Sequence, residues 1–137
     1  MSMQLSPYLN FNGTCEEAMN FYKSIFGGSL EFTRFGDMQI PGHETDANKI
    51  MNSTLKAEDI TFMASDGGMG MITMGDSVNL ALYGGPDEDQ KMRAYFYGLS
   101  EGSTVLSPLA PMSWGADFGY FTDKFGINWM VNIDHGK

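Results

Sequence analysis

The sequence predicts an α+β fold built from two modules, each with the order strand, helix and three strands. In each half, a segment of alternating polar and apolar residues precedes a stretch with apolar residues at helical spacing. An offset of 73 residues, the distance from Thr14 to Asp87, also superposes Tyr22 on Tyr95. One helix covers only one face of four strands, so the other face needs a partner. We therefore expect two paired βαβββ modules that form a curved mixed sheet of about eight strands around a cavity.

The repeat also sets the predicted domain organisation. We expect one domain over residues 1–137, with a module at 1–66, a glycine- and methionine-rich linker at 67–75 and a second module at 76–137. A chain of this length can bury about two-thirds of its unfolded surface, so folding needs no disulfide and no structural metal.

The first module begins with a half-buried strand over residues 5–12, although Pro7 favours a strand start or an edge. Thr14 and Glu17 have the spacing of a capping box, which predicts a helix over 14–26. Glycines follow that helix and end it. The remaining predicted elements are strands at 30–35, 49–56 and 60–65, a loop at 36–48 and a turn at 57–59.

The second module repeats this plan. An alternating strand over 77–83 precedes a turn, and Asp87 with Gln90 forms a second predicted capping pair. The apolar face formed by Met92, Phe96 and Leu99 predicts a helix over 87–99. The predicted strands that follow are 104–109, 118–122 and 128–133, with a turn at 123–126.

The charge balance excludes two classes of partner. Seventeen acidic residues outnumber eight basic ones, which gives a net charge of −9 and a pI of about 4.4. Nucleic acids and anionic membranes would repel such a chain, so we expect neither as a partner. No apolar run approaches the roughly 20 residues of a membrane span. The first five residues lack the features of a signal peptide, so a cytoplasmic location is expected.

Cys15 is the single cysteine, so no intramolecular disulfide can form. Its position at the start of a predicted helix could lower its pKa, but a structural thiol is the favoured interpretation. The two histidines, His43 and His135, lie in a polar loop and near the C-terminal end, where solvated side chains are expected. No Ser–His–acid or Cys–His pairing can be argued from them, so no catalytic residue is assigned.

Five stretches carry a family signature: Pro7–Gly13, Glu17–Tyr22, Phe62–Asp66, Trp114–Gly119 and Asp123–Asn132. The first two resemble the opening of vicinal-oxygen-chelate proteins, which include glyoxalases, bleomycin-resistance proteins and extradiol dioxygenases. The other three are similar to the PhnB-like branch of that superfamily, and the last stretch is quite specific. The resemblance covers nearly the whole chain. It implies paired βαβββ units, usually in a homodimer.

The resemblance also implies positions for a divalent metal, on the first and last strands of each unit. In this chain those positions fall at Ser6 or Pro7, Met63, Ser77 and Met130. None of these side chains is a usual ligand for a borderline divalent ion. We therefore expect no metal and no other cofactor at the superfamily site.

A small-molecule site is predicted instead, in a cavity lined by aromatic, methionine and asparagine side chains. Trp114 and Trp129 would stack on a flat ligand, or alternatively pack in the core. Buried asparagines must be hydrogen-bonded, either to the backbone or to a ligand. The predicted ligand-binding residues are Asn10, Asn52, Ser77, Asn79, Trp114 and Trp129.

The linker methionines, Met69, Met71 and Met74, have two interpretations. Thioethers bind soft Cu(I), but such sites usually include more methionines or a nearby His or Cys. The favoured interpretation is adaptable packing over a cavity mouth or a partner subunit.

These features favour a small-molecule binding protein without the usual divalent metal, assembled as a homodimer, with an unidentified ligand. One alternative is a metal-dependent lyase, isomerase or dioxygenase of the same superfamily. A second alternative is a structural dimer with a vestigial cavity.

Overall fold

The computed structural model describes residues 3–38, 47–58, 60–67, 72–75 and 77–135, in two compact units. Unit 1 spans Met1–Thr73 and unit 2 spans Met74–Lys137. Most of the predicted 36–48 loop lies outside the described residues, and so do His43, Met69 and Met71. No helix in the described ranges is both long and apolar enough to span a membrane.

Each unit has the predicted order of one strand, one main helix and three strands, which confirms the α+β class. In both units the first strand pairs in parallel with the last, and the other pairs are antiparallel. The sheet orders are β1-β4-β3-β2 and β5-β8-β7-β6. Unit 1 contains β1 Tyr8–Asn10, α1 Cys15–Phe26, β2 Ser29–Arg34, α2 Phe35–Met38, β3 Ile50–Lys56 and β4 Thr61–Ser65. Unit 2 contains β5 Leu80–Gly84, α3 Asp89–Leu99, β6 Thr104–Pro111, β7 Ala116–Thr122 and β8 Asn128–Asp134.

The helix α1 packs on its own sheet through a fully buried apolar face, as its spacing predicts. Tyr22 contacts Phe62 of β4 edge-on, with ring centroids 5.7 Å apart, and Phe26 packs against the same ring. The chain leaves α1 through Gly27 and Gly28. Gly28 has φ +84°, and a side chain there would collide with the Lys56 carbonyl oxygen at the end of β3. Glycine is thus required where the helix turns back onto the sheet.

The predicted capping box at the start of α1 is wrong. Thr14 makes no side-chain cap bond, and its φ and ψ of −105° and 10° are not the extended values of an N-cap residue. The acceptor comes instead from Asp66, which directly follows β4. Its Oδ1 accepts hydrogen bonds from the backbone N–H groups of Gly13 and Cys15, at 3.0 and 2.9 Å. Its Oδ2 accepts from the Ile50 N–H at 2.9 Å, so one buried carboxylate joins α1, β3 and β4.

The second predicted capping pair is also wrong. A 3₁₀ turn over Pro86–Glu88 precedes α3, and Glu88, not Asp87, occupies the N-cap position without a side-chain bond. Proline suits this first turn because its φ is already helical and its missing N–H would have no partner there.

The first strand of each unit begins later than predicted. The first strand begins only after Pro7, and Leu5 is fully exposed. The first strand of unit 2 begins at Leu80 instead of Ser77, and Val78 is exposed. A short helical turn, α2, occupies the start of the predicted loop.

Alternation in the strands gives each sheet two distinct faces. In β8, Trp129, Val131 and Ile133 are buried on the side of α3, whereas Asn128 and Met130 point to the other side. We call the side of each sheet away from α1 or α3 its second face. The second face of unit 1 includes Tyr8, Asn10, Glu31, Thr33, Asn52, Thr54, Met63 and Ser65. The second face of unit 2 includes Ala81, Tyr83, Phe118, Tyr120, Thr122, Asn128, Met130 and Asn132.

Replacement of the Asp66 carboxylate should strongly destabilise the protein. Asp66→Ala leaves three backbone N–H groups without their acceptor, and two of these bonds are buried. We expect a loss of about 2–4 kcal/mol in the free energy of unfolding, measured by urea denaturation. The matched control is Asp87→Ala, at an exposed carboxylate, with an expected change within about 0.5 kcal/mol. Equal denaturation midpoints for the two variants would contradict this assignment.

Cys15 should be unreactive in the folded protein. Its side chain is fully buried, and its Sγ lies 3.6 Å from the Ser53 Oγ. Burial raises the pKa of the thiol to about 12, so the nucleophilic thiolate is scarce near neutral pH. Because the folded state holds this proton more tightly, the associated stability is complete below the ordinary pKa of 9.0 and is lost as the pH rises towards 12.

A thiol-reactive disulfide dye near pH 8 provides the measurement for Cys15. We expect negligible labelling of native protein and one equivalent of labelling in concentrated guanidinium chloride. Rapid labelling of the native protein would show that the helix start activates this thiol, contrary to the burial argument.

Candidate ligand-binding site

A cavity of about 360 Å³ lies within unit 2. Antiparallel pairing sets Tyr120 opposite Met130 and Thr122 opposite Asn128, so these four side chains share the second face. The residues that line the cavity are Asn79, Phe118, Tyr120, Phe121, Thr122, Asn128 and Met130.

A row of three aromatic rings runs along this face. The Trp114 and Phe118 rings meet at 68° with centroids 5.8 Å apart, and Phe118 and Tyr120 meet at 51° and 6.0 Å. Trp114 is 56% exposed and Tyr120 is 39% exposed. The Trp114 Nε1 donates a hydrogen bond of 3.2 Å to the Asn132 Oδ1, which holds the indole beside the sheet. We call Trp114, Phe118 and Tyr120 the aromatic row.

The polar groups of the cavity have two different roles. The Asn128 amide donates to the Gly75 and Val78 carbonyl oxygens at 2.8 and 3.2 Å, and its Oδ1 accepts from Thr122. Through these bonds, the Asn128 side chain holds the segment that leads into β5. Asn79 is exposed, and its side chain makes no hydrogen bond within the described part of unit 2. Its amide is therefore available to a ligand.

A second cavity of about 450 Å³ adjoins the first, since both include Thr122 and Asn128. It is lined by Met74, Gly75, Thr122, Gly126 and Asn128. The Met74 side chain lies against Gly126, where a Cβ atom would be 2.9 Å from the Met74 Cε. This contact gives Met74 the packing role that the sequence favours.

Neither cavity is lined by a carboxylate, imidazole, ammonium or guanidinium group of a described residue. The lining therefore offers aromatic and thioether surface, amides and hydroxyls. Such a lining suits an uncharged ligand and supplies no carboxylate–histidine pair for acid–base chemistry.

The second face of unit 1 has a different character, because polar side chains predominate. The Ser65 Oγ donates a hydrogen bond of 3.3 Å to the Asn10 Oδ1, and these two residues are paired across β1 and β4. Asn52 lies on the same face in β3, opposite Thr33. Among the buried side-chain nitrogen and oxygen atoms of the described residues, the Asn52 Oδ1 alone has no hydrogen-bond partner.

The six predicted ligand-binding residues are distributed between both units. Asn10 and Asn52 lie on the second face of unit 1, and Asn79 lines the first cavity of unit 2. Trp114 belongs to the aromatic row but lines neither cavity. Ser77 is exposed and also lines neither cavity. Trp129 is 2% exposed on the helix side, where its Nε1 donates to the Asp123 Oδ2 at 2.9 Å. That position corresponds to the core-packing alternative.

Sequence reasoning missed six residues that line the first cavity: Phe118, Tyr120, Phe121, Thr122, Asn128 and Met130. For the β7 residues the signal is present in the strand alternation, because Gly119 and Phe121 are buried against α3 whereas Phe118, Tyr120 and Thr122 face the other way. Their juxtaposition with Asn79 depends on the pairing of β5 and β8, which no local pattern specifies.

The implied metal positions do not fit a divalent ion. Strand register places Tyr8, not Pro7, opposite Met63, and it places Ala81 opposite Met130. A phenol, two thioethers and a methyl group lack the nitrogen, carboxylate or thiolate donors that such ions prefer.

A separate group of potential ligand atoms is held by ion pairs instead. Asp89, Asp117 and His135 lie close together in unit 2. Arg93 bonds to both carboxylates, and the His135 Nε2 is 3.3 Å from the Asp117 Oδ2. The Arg93 bond holds the pKa of Asp117 below its ordinary value, and His135 adds a smaller effect of the same sign. The guanidinium group thus already supplies the positive charge that this cluster requires.

The chain is similar to several solved structures over nearly its whole length. Protein PA1353 from Pseudomonas aeruginosa is 37% identical, with 98% of this chain and 99% of that chain covered and a TM-score of 0.85. A PhnB protein from Bacillus cereus is 22% identical over 96% of this chain and 99% of its own, with a TM-score of 0.66. The fosfomycin resistance protein FosX from Listeria monocytogenes is 12% identical over 99% and 96%, with a TM-score of 0.61. The last two likenesses extend to the fold alone.

Residues 3–132 match the family described as 3-demethylubiquinone-9 3-methyltransferase. The match spans nearly the whole chain and confirms the resemblance carried by its motifs. The chain belongs to this PhnB-like family.

Proposed function

We propose that this protein binds a small, uncharged, planar organic molecule at the aromatic row and the adjoining cavity of unit 2. The single observation that carries the proposal is the composition of the cavity lining. Aromatic rings lie beside the free amide of Asn79, and no described lining residue carries a charge near neutral pH.

The aromatic row supports a planar ligand because exposed rings in contact favour stacked or edge-on packing with a further ring. Phe118 and Tyr120 supply that surface, and the hydrogen bond to Asn132 keeps Trp114 in line with them. Asn79 adds one donor and one acceptor that can orient the ligand. A charged ligand would lose its hydration without gaining an ion pair at this site, which favours an uncharged one.

We propose that the ligand binds without the superfamily metal, because the side chains at the implied metal positions are poor ligands for a borderline divalent ion. These residues are Tyr8, Met63, Ala81 and Met130. Methyl transfer, the activity in the family description, is not proposed, since no stretch of the sequence resembles a Rossmann-type motif for a methyl donor. The fosfomycin resistance named for FosX belongs to a protein only 12% identical to this chain, and it is not carried over.

We also propose that the protein forms a homodimer, as the family resemblance implies. Tyr83 is 80% exposed and lies on the second face of unit 2, beside the Asn132 that holds Trp114. Such exposed aromatic surface is typical of interfaces as well as of ligand sites. Sedimentation velocity on the samples used for binding will distinguish a dimer from a 15.1 kDa species.

Ligand binding should depend on charge and on the cavity side chains. We expect 2-naphthol to bind measurably by isothermal titration calorimetry, and 2-naphthoate, which adds a negative charge, to bind more weakly. Tyr120→Leu and Asn79→Ala should each weaken naphthol binding by about three- to ten-fold, through loss of one ring contact or one hydrogen bond. The matched control is Tyr97→Leu, at an exposed tyrosine on α3, which should leave the affinity unchanged. Naphthol binding that is insensitive to both cavity variants would refute the proposed site.

The metal-free state is tested directly by metal quantitation. Protein purified without chelator should contain far less than one equivalent of any divalent metal. Titration with Zn²⁺, Ni²⁺ and Mn²⁺ should reveal no submicromolar site, because the available donors cannot replace the hydration shell. The opposite result is near-stoichiometric, submicromolar binding that disappears in Asn52→Ala or Ser77→Ala. It would instead support the metal-dependent enzyme.

A further inference from the structure

Asn12 and Gly13 form the only Asn–Gly pair in the sequence and lie in the bend between β1 and α1. Both residues are exposed to solvent. In an Asn–Gly pair the backbone nitrogen of the glycine can attack the side-chain amide before it, and glycine has no Cβ to hinder the approach. The bend before α1 therefore contains the chemical group most prone to spontaneous deamidation.

Native hydrogen bonds restrain both groups that this reaction needs. The Asn12 Nδ2 donates to the Ile72 carbonyl oxygen, and the Asn12 Oδ1 accepts from the Ile72 N–H, both at 2.8 Å. The Gly13 N–H donates to the Asp66 Oδ1 at 3.0 Å. The first two bonds fix the side chain, and the bond to a carboxylate retains the proton that the Gly13 nitrogen must lose before it attacks.

The two bonds between Asn12 and Ile72, which we call the clasp, also hold the segment 72–75. Asn12 and Ile72 both belong to unit 1. Further along the same segment, the Gly75 carbonyl oxygen accepts from the Asn128 amide at 2.8 Å, within unit 2. The clasp needs one donor and one acceptor on the same side chain, which an amide supplies and a carboxylate does not.

We infer that Asn12 is a latent modification site, at which opening of the clasp permits deamidation and deamidation prevents the clasp from forming again. The Gly13 nitrogen attacks the Asn12 Cγ, and the new C–N bond closes a five-membered imide. The bond from Cγ to Nδ2 breaks, and ammonia leaves with the proton from Gly13. Water then opens the imide at either carbonyl, which yields aspartate or isoaspartate. The net reaction consumes one water, releases one ammonia and needs no oxidant or reductant.

Neither product restores the clasp. The carboxylate of an aspartate still accepts from the Ile72 N–H, but it has no N–H for the Ile72 carbonyl oxygen and repels it. Isoaspartate also lengthens the main chain by one methylene group, which displaces Gly13 from Asp66. The modification thus releases Ile72 irreversibly. It is independent of the proposed ligand site, because neither Asn12 nor Ile72 lines either cavity.

The rate of deamidation tests the protection. The full-length protein is incubated at about pH 8 in heavy-oxygen water, and mass spectrometry of its peptides reports the water oxygen gained at residue 12. We expect native protein to react at least about ten-fold more slowly than protein in concentrated guanidinium chloride. Ile72→Pro lacks the N–H of the clasp and should speed the native reaction by about three- to ten-fold. The matched control Ile72→Ala keeps both backbone bonds and should react at the wild-type rate.

Two further variants keep the test decisive. Asp66→Asn weakens the acceptor for the Gly13 N–H and should also speed the reaction, which covers the case that Ile72→Pro does not fold. Asn12→Asp reproduces one product, and NMR of the isotope-labelled variant should show a shifted backbone amide signal for Ile72. Its matched control is Asn20→Asp, at an exposed asparagine on α1, which should leave that signal unchanged.

Three results would overturn the inference. If Asn12 stays unmodified even in the unfolded chain, there is no labile site. If native and unfolded protein react equally fast, or if Ile72→Pro and Asp66→Asn both react at the wild-type rate, these hydrogen bonds give no protection. If the Ile72 signal is unmoved in Asn12→Asp, the modification does not release the clasp. Isoaspartate at the neighbouring Asp66–Gly67 pair appears in a different peptide and is not counted.

Discussion

The structure of unit 1 depends on the buried carboxylate of Asp66. Its two oxygens accept three backbone hydrogen bonds, which join the loop before α1 to the start of β3, while its own N–H bonds to the Ile50 carbonyl oxygen. A buried carboxylate is costly unless such donors surround it, so the bonds and the burial require each other. Asp123 has a related role in unit 2. It accepts from the Phe125 and Ile127 N–H groups in the turn between β7 and β8, and from the Trp129 indole. In each unit, one buried aspartate thus fixes the neighbouring elements, and the positions of the second-face side chains depend on those elements.

The position of Asp66 explains which parts of the fold could be predicted from the sequence. Helix positions follow from local apolar spacing, and α1 and α3 end at the predicted Phe26 and Leu99. Helix starts were less predictable, because the acceptor for the Cys15 N–H comes from a residue 51 positions away. Local capping patterns at Thr14 and Asp87 match the usual residue types but do not include this long-range competitor. A tertiary contact therefore overrode local preference at the start of α1, whereas at the start of α3 the local 3₁₀ turn over Pro86–Glu88 precedes the helix.

The candidate site was predictable to a smaller extent. The sequence indicates asparagines and tryptophans as candidates, but their roles depend on the face to which each side chain points. Trp129 lies on the same face of β8 as Val131 and Ile133, so its burial follows from the strand pattern once the phase of β8 is known. The lining formed by Tyr120 and Met130 depends instead on the register between β7 and β8. Pairing of strands is a long-range property, and a shift of one residue would exchange the two faces.

The duplicated plan also explains how one chain carries two chemically different surfaces. Met63 opposes Thr54 in unit 1, and Met130 opposes Tyr120 in unit 2, so Thr54 and Tyr120 occupy equivalent positions. Two residues before them, Asn52 corresponds to Phe118. The backbone and the methionine are shared, whereas the neighbouring pair is polar in one unit and aromatic in the other. Since the core side chains point to the opposite face, these two positions can vary without disturbing the packing against α1 or α3. The difference in surface chemistry between the units therefore resides in a few second-face side chains, and the repeated fold places them at matching points of each sheet.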